Sequence, residues 1–204
     1  MPATTTSSDL VIGDDGLARP RWASQDQLLM TYYDTEWGMP VTDERGVFER
    51  LSLEIFQSGL SWRLILQRRP LLREAFAGFD VDTVARFDDD DVQRLLLDPG
   101  VIRNRLKLSS IIKNARATVA LREDEPLQEV VWAAKPHVTP RPTSAAEVPS
   151  TSAESRLLTK RLKARGFSFV GPTNLFALME AIGIVDTHLV GSHRRGTSGV
   201  WPRD

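Results

Sequence analysis

The sequence has no cysteine among its 204 residues. That absence excludes disulfides, thiolate metal ligands and a thiol nucleophile. It also has almost no excess of charge, because 26 Lys and Arg stand against 27 Asp and Glu for a formal net charge of -1. Such balance excludes a chain coated in positive charge, so any contact with a polyanion must come from a local patch. No apolar run approaches the roughly 20 residues needed to cross a bilayer, and the start of the chain lacks a charged-then-apolar leader pattern. A cytoplasmic protein with no membrane partner is therefore expected. Long apolar and polar alternations rich in β-branched residues are missing as well, so no strand is required. No internal repeat is present.

What remains reads as helix, and the expected fold class is all-α. In residues 43–57, Val47, Phe48, Leu51 and Ile55 recur at helical spacing, with Thr42 placed to cap the start and Gly59 following the end. Pro70 and Pro126 stand where first helical turns would begin, and Asp88 precedes an acidic first turn that suits the helix dipole. Residues 135–152 carry Pro136, Pro140, Pro142 and Pro149 among small polar residues, which predicts an extended connector. A basic amphipathic helix then runs over 154–165, Gly166 ends it, and Pro172 opens an apolar helix that ends at Gly183. The expected organisation is a disordered tail over 1–18, one domain over 19–196 and a short C-terminal tail over 197–204.

Both tyrosines, Tyr32 and Tyr33, and three of the five tryptophans, Trp22, Trp37 and Trp62, fall within about forty residues, with Glu54 set among them. Aromatic faces with one buried acid suit a flat, cationic ring, since the faces sandwich it while the carboxylate accepts its N–H groups. A nucleobase fits that description. The competing readings are ordinary core packing for the aromatic residues and an arginine ion pair for Glu54. Asp98-Pro99-Gly100-Val101-Ile102 lies between two helical patterns and predicts a hairpin whose amides could meet a DNA phosphate, with Arg103, Arg105, Lys107, Lys113 and Arg116 close behind. A solvated helix face after an ordinary loop is the stronger reading of that feature when it is taken alone.

Longer blocks carry a family resemblance. Residues 22–26 (WASQD), 32–40 (YYDTEWGMP), Leu53-Glu54, 57–62 (QSGLSW), 100–105 (GVIRNR), 114–116 (NAR), 149–151 (PST) and 165–171 (RGFSFVG) resemble, in order and spacing, the motifs of the DNA-3-methyladenine glycosylase I family. The resemblance runs from about Arg19 to Arg194. It implies a helix-hairpin-helix glycosylase fold with a base-binding cleft, and a monofunctional hydrolase that flips 3-methyladenine out of alkylated double-stranded DNA and leaves an abasic site. By the same resemblance, Glu54 and Tyr32 act on the base, Trp62 stacks on it, and Trp22 and Trp37 line the pocket. Gly100, Val101, Arg103, Arg105 and Lys107 then hold the DNA. A non-catalytic binder of alkylated DNA or modified bases on the same fold is the alternative, and a monomer is the expected state.

The resemblance also marks one departure. The family commonly ties its terminal segments with a zinc held by two Cys and two His, and the matching positions here are Pro20, Tyr33, His188 and Ser192. One imidazole does not make a structural zinc site, so no metal and no other cofactor is expected. The helix after the hairpin contains no Asp or Glu, which leaves no evident general base there. Asp34 and Glu36 are expected to cap or pair locally.

Overall fold

A computed structural model describes residues 9–203. The chain folds as two compact units: one comprises the residues up to Pro40, residues 135–150 and the chain from Met179 onward, and the other comprises residues 41–134 and 151–178.

In the first unit, β1 (Leu10–Ile12) pairs antiparallel with β2 (Ala18–Pro20), and Leu10 faces Pro20. The turn between them uses Gly16 at φ 76°, a left-handed conformation that glycine adopts without strain, and the Leu17 N–H donates to Asp15. Residues 9–18 are therefore folded, which corrects the expected tail over that stretch; residues 1–8 lie outside the described residues. The strands are too short for periodicity to show in the sequence. The buried guanidinium of Arg19 fixes the hairpin by bonding Asp15 and, at 2.7–3.1 Å, Asp34 on α1 (Gln27–Thr35). The expected C-terminal tail is also docked, because the Trp201 indole donates to the Ile184 carbonyl and Lys135 lies over its ring. Residue 204 lies outside the described residues.

The second unit is built around α2 (Glu44–Gln57), whose Val47, Phe48, Leu51, Ile55 and Phe56 are fully buried. Asp43, not Thr42, caps it by accepting the Gly46 N–H, since a carboxylate at the N-terminus also answers the helix dipole. Ser61 caps α3 (Trp62–Ala75), which runs straight through Pro70. The sequence places that proline at a helix start. Its exposed ring instead sits two turns in and costs the helix one N–H, a loss tolerated because the Ser61 cap and the buried Ile65, Leu66 and Leu72 hold both sides. Beyond α3, Phe76 and Phe79 stack at 5.6 Å in the core.

Next come α4 (Val81–Ala85), α5 (Asp89–Leu97) with Asp88 in a capping box, and α6 (Arg105–Leu121). α7 (Leu127–Trp132) precedes the proline-rich connector, and α8 (Ala153–Ala164) follows it. α9 (Pro172–Ala181) begins in this unit and ends in the first. The α8 start is a reciprocal cap in which the Ser155 N–H donates to Ser152 while the Ser152 N–H donates to Ser155. Ser152→Ala removes one of these bonds and should lower stability by about 1 kcal/mol, read as a lower urea midpoint with an unchanged slope.

Candidate functional site

In the second unit, the carboxylate-bearing helix ends under close control. Glu54 sits on the buried face of α2 with 6% of its surface exposed. One turn later the helix stops at Ser58, whose N–H and hydroxyl both approach the Glu54 carbonyl, at 3.2 and 3.3 Å. Gly59 then adopts φ 79°, and the half-buried Trp62 opens α3. Only the short turn from Ser58 to Ser61 separates the acid's helix from the tryptophan's.

Lys107 clamps that turn. Its ammonium donates to the Phe56 carbonyl at 2.8 Å and the Ser58 carbonyl at 2.6 Å, and only 6% of the residue is exposed. Burial lowers its pKa, while the acceptors are carbonyls at a helix C-terminus, where a cation is favoured. The sequence suggests a DNA contact for Lys107; the structure turns it inward as a helix cap. Its spacing looks like one more member of a basic run, and nothing in the sequence marks that it faces the core.

The hairpin is formed, with its amides engaged inside the protein. Gly100 N–H donates to the Asp98 carboxylate at 2.7 Å and Val101 N–H to the Asp98 carbonyl at 3.2 Å, so the expectation that these two amides present themselves to a phosphate is corrected. Space at Gly100 is tight, since a Cβ there would lie 3.0 Å from the Asp98 carboxylate and 3.1 Å from Leu71 of α3. Arg103 and Arg105 are exposed, as is Lys113. Arg116 caps α4 instead, donating to the carbonyls of Ala85 and Phe87. α6 carries no acidic residue.

In the first unit Trp22, Tyr33, Trp37 and His188 form an aromatic cluster. Tyr33 stacks on Trp37 at 5.7 Å, Trp22 meets both edge-on, and His188 lies 4.6 Å from the Trp37 ring. Tyr32 is buried on the same helix, α1. Asp34 is paired with Arg19 and with His193 at 3.1 Å, a structural role.

The positions that resemble a zinc site do not fit the metal. Pro20 has no ligand atom and lies in β2. The hydroxyls of Tyr33 and Ser192 are bonded to each other at 2.5 Å, and burial pushes the Tyr33 phenol well above its ordinary pKa, so it stays neutral. His188 alone keeps a ligand nitrogen: Nδ1 bonds Asp186 at 2.7 Å, and buried Nε2 has no hydrogen-bond partner. Burial opposes charge on Asp186, yet hydrogen bonds from His188 and from the Gly196 N–H prevail and hold its carboxyl below the usual range. The imidazole is in turn kept neutral by its own burial. One imidazole nitrogen and two neutral hydroxyls bonded to each other are a poor zinc donor set.

Two measurements test this unit. Protein purified without chelator should carry no stoichiometric zinc by elemental analysis and keep its melting temperature in EDTA, whereas Tyr33→Phe should lose about 1 kcal/mol. Glu180 accepts the Thr187 hydroxyl at 2.6 Å, and burial raises its pKa from 4.5 to about 7. The folded state therefore holds a proton that the unfolded state releases, so this group's stability is fully present below about pH 4.5 and is lost as pH rises through about 7. Glu180→Gln should narrow the fall in melting temperature between pH 5 and pH 8; an unchanged fall would clear Glu180 of that dependence.

Comparison with known proteins bears on both units. The sequence model of the methyladenine glycosylase family matches residues 22–195. DNA-3-methyladenine glycosylase 1 of Escherichia coli (strain K12) is 42% identical over 179 residues, covering 86% of this chain and 95% of the relative. A crystal structure of 3-methyladenine DNA glycosylase I superposes with a TM-score of 0.82 at 39% identity, covering 86% of this chain and 98% of that one. A variant of 3-methyladenine DNA glycosylase I crystallised with 3-methyladenine gives 0.79 at 28% identity, covering 84% and 94%. The chain belongs to the methyladenine glycosylase family.

Proposed function

We propose that this protein is a monofunctional DNA glycosylase that removes 3-methyladenine from alkylated double-stranded DNA, as a monomer, and leaves an abasic site. The observation that carries this reading is Glu54, a carboxylate held 6% exposed on a helix whose end is clamped by Lys107, in a chain 42% identical to a glycosylase named for that base. Methylation at N3 gives adenine a positive charge and weakens its bond to the sugar. A carboxylate fixed on a rigid helix favours the cationic base over neutral adenine, so selection and catalysis share one interaction.

Tyr32, Trp22, Trp37 and Trp62 supply the aromatic surfaces of the base site in this reading. Trp62 stacks on the extruded base. The absence of an acid on α6 supports a mechanism that relies on the lability of the cationic nucleotide and uses no strong general base. No Schiff base and no strand cleavage follow. The exposed Arg103 and Arg105 beside the hairpin supply phosphate contacts, and Gly100 and Val101 shape the turn from which they project.

The test is release of 3-methyladenine from methylated duplex DNA. Wild type should release it, and Glu54→Ala should slow single-turnover release at least about a hundredfold, in line with loss of a buried electrostatic contact to the transition state. Equal release by both proteins would remove Glu54 from this role. Binding of alkylated DNA without release by the wild type would make the protein a non-catalytic binder.

A further inference from the structure

Phe169 is the one aromatic side chain among the large exposed hydrophobics of the described residues, with 40% of its surface open. Its backbone is left-handed, at φ 57°. A bulky residue is strained in that region, where glycine is not. The same segment places glycine at 166, where φ is 87°, so the chain uses the permissive residue nearby and not here. Of the other described non-glycine residues with positive φ, Phe79 is fully buried, where packing compensates. Phe169 has no such burial.

The conformation is held from both sides. Buried Asn114 on α6 accepts the Ser168 N–H at 2.8 Å and donates to the Ser168 carbonyl at 3.0 Å. Asn174 on α9 donates to the Phe169 carbonyl at 3.0 Å. The Asn174 amide also bonds the Ser58 hydroxyl, which itself reaches the Glu54 carbonyl. Phe167 and Val170 on either side are buried and anchor the loop in the core. The chain thus ties a strained, outward-facing ring to the end of the helix that carries the base-selecting acid.

We propose that Phe169 is a DNA-contact residue whose ring stacks on a base of the duplex beside the extruded nucleotide; this rests on the glycosylase reading of Glu54. Extrusion leaves neighbouring base faces without a stacking partner. A flat apolar ring fixed in place compensates them without reading sequence, because every base offers a π face. Holding the backbone that carries the ring in advance lowers the ordering cost of binding.

The experiment measures four quantities for wild type, Phe169→Gly, Phe169→Leu and Phe169→Trp: melting temperature, affinity for free 3-methyladenine, affinity for a duplex carrying a stable abasic analogue, and release of 3-methyladenine from methylated duplex DNA. Phe169→Gly should melt no lower than wild type, since the strain is relieved, and should bind the free base equally well. It should bind the duplex about tenfold or more weakly, the size of one lost base stack. Phe169→Leu, with apolar bulk but no flat face, should share that loss, and Phe169→Trp should stay close to wild type. Duplex affinity maintained in the glycine or leucine variant overturns the proposal, as does a matching loss of free-base affinity, which would make the residue part of the base pocket. Wild type that releases no 3-methyladenine overturns both this proposal and the glycosylase reading, whereas wild type that releases it alongside unimpaired variants overturns the stacking role alone.

Discussion

A buried ammonium at the end of a helix organises the second unit. Lys107 reaches from α6 to the carbonyls of Phe56 and Ser58, where α2 has run out of its own N–H donors. Desolvating that charge is unfavourable, and two short hydrogen bonds to the negative end of the helix dipole offset the cost. The geometry around Glu54 follows: Ser58 closes back on the Glu54 carbonyl, Gly59 turns the chain, and Ser61 starts α3 with Trp62 as its first residue. Placing a carboxylate is a backbone problem before it is a side-chain problem. A helix end that frayed would let the acid wander.

The first unit solves its own cohesion problem with neutral groups and enclosed charges. Arg19 is satisfied by two aspartates, Asp186 collects His188, Gly196 and Arg195 around it, and Tyr33 joins Ser192 inside an aromatic cluster. Each bond is individually modest. Their arrangement matters because they connect segments far apart in sequence, from residue 19 to residue 196, where loop closure is entropically most costly.

The sequence makes the long elements legible because they depend on local signals. Asp88, Gly166 and Pro172 mark helix ends through caps and fixed dihedrals that act within a few residues, and α2 announces itself through Val47, Phe48, Leu51 and Ile55. The hairpin strands at residues 10–12 and 18–20 escape notice, being shorter than any periodicity test. Pro70 misleads because a proline two turns into a helix looks the same in sequence as one at its start; only the Ser61 cap and the buried Ile65 and Leu66 decide between them. Lys107 is the instructive failure at the site. Its role depends on which face of α6 meets α2, a tertiary fact that no basic run records, and the same is true of Asn114, Asn174 and the strained Phe169. Glu54 is visible for the opposite reason, as a charge on an otherwise apolar face.

The hydroxyl pair of Tyr33 and Ser192 has a further chemical consequence. Methylating agents that damage adenine react with soft nucleophiles, and a thiolate is the most reactive of these in proteins. Closing this part of the fold with two oxygen atoms, in a chain that has no cysteine anywhere, leaves no thiolate for such agents to cap. The fastener is made of atoms indifferent to the very reagent whose damage a methyladenine glycosylase would meet.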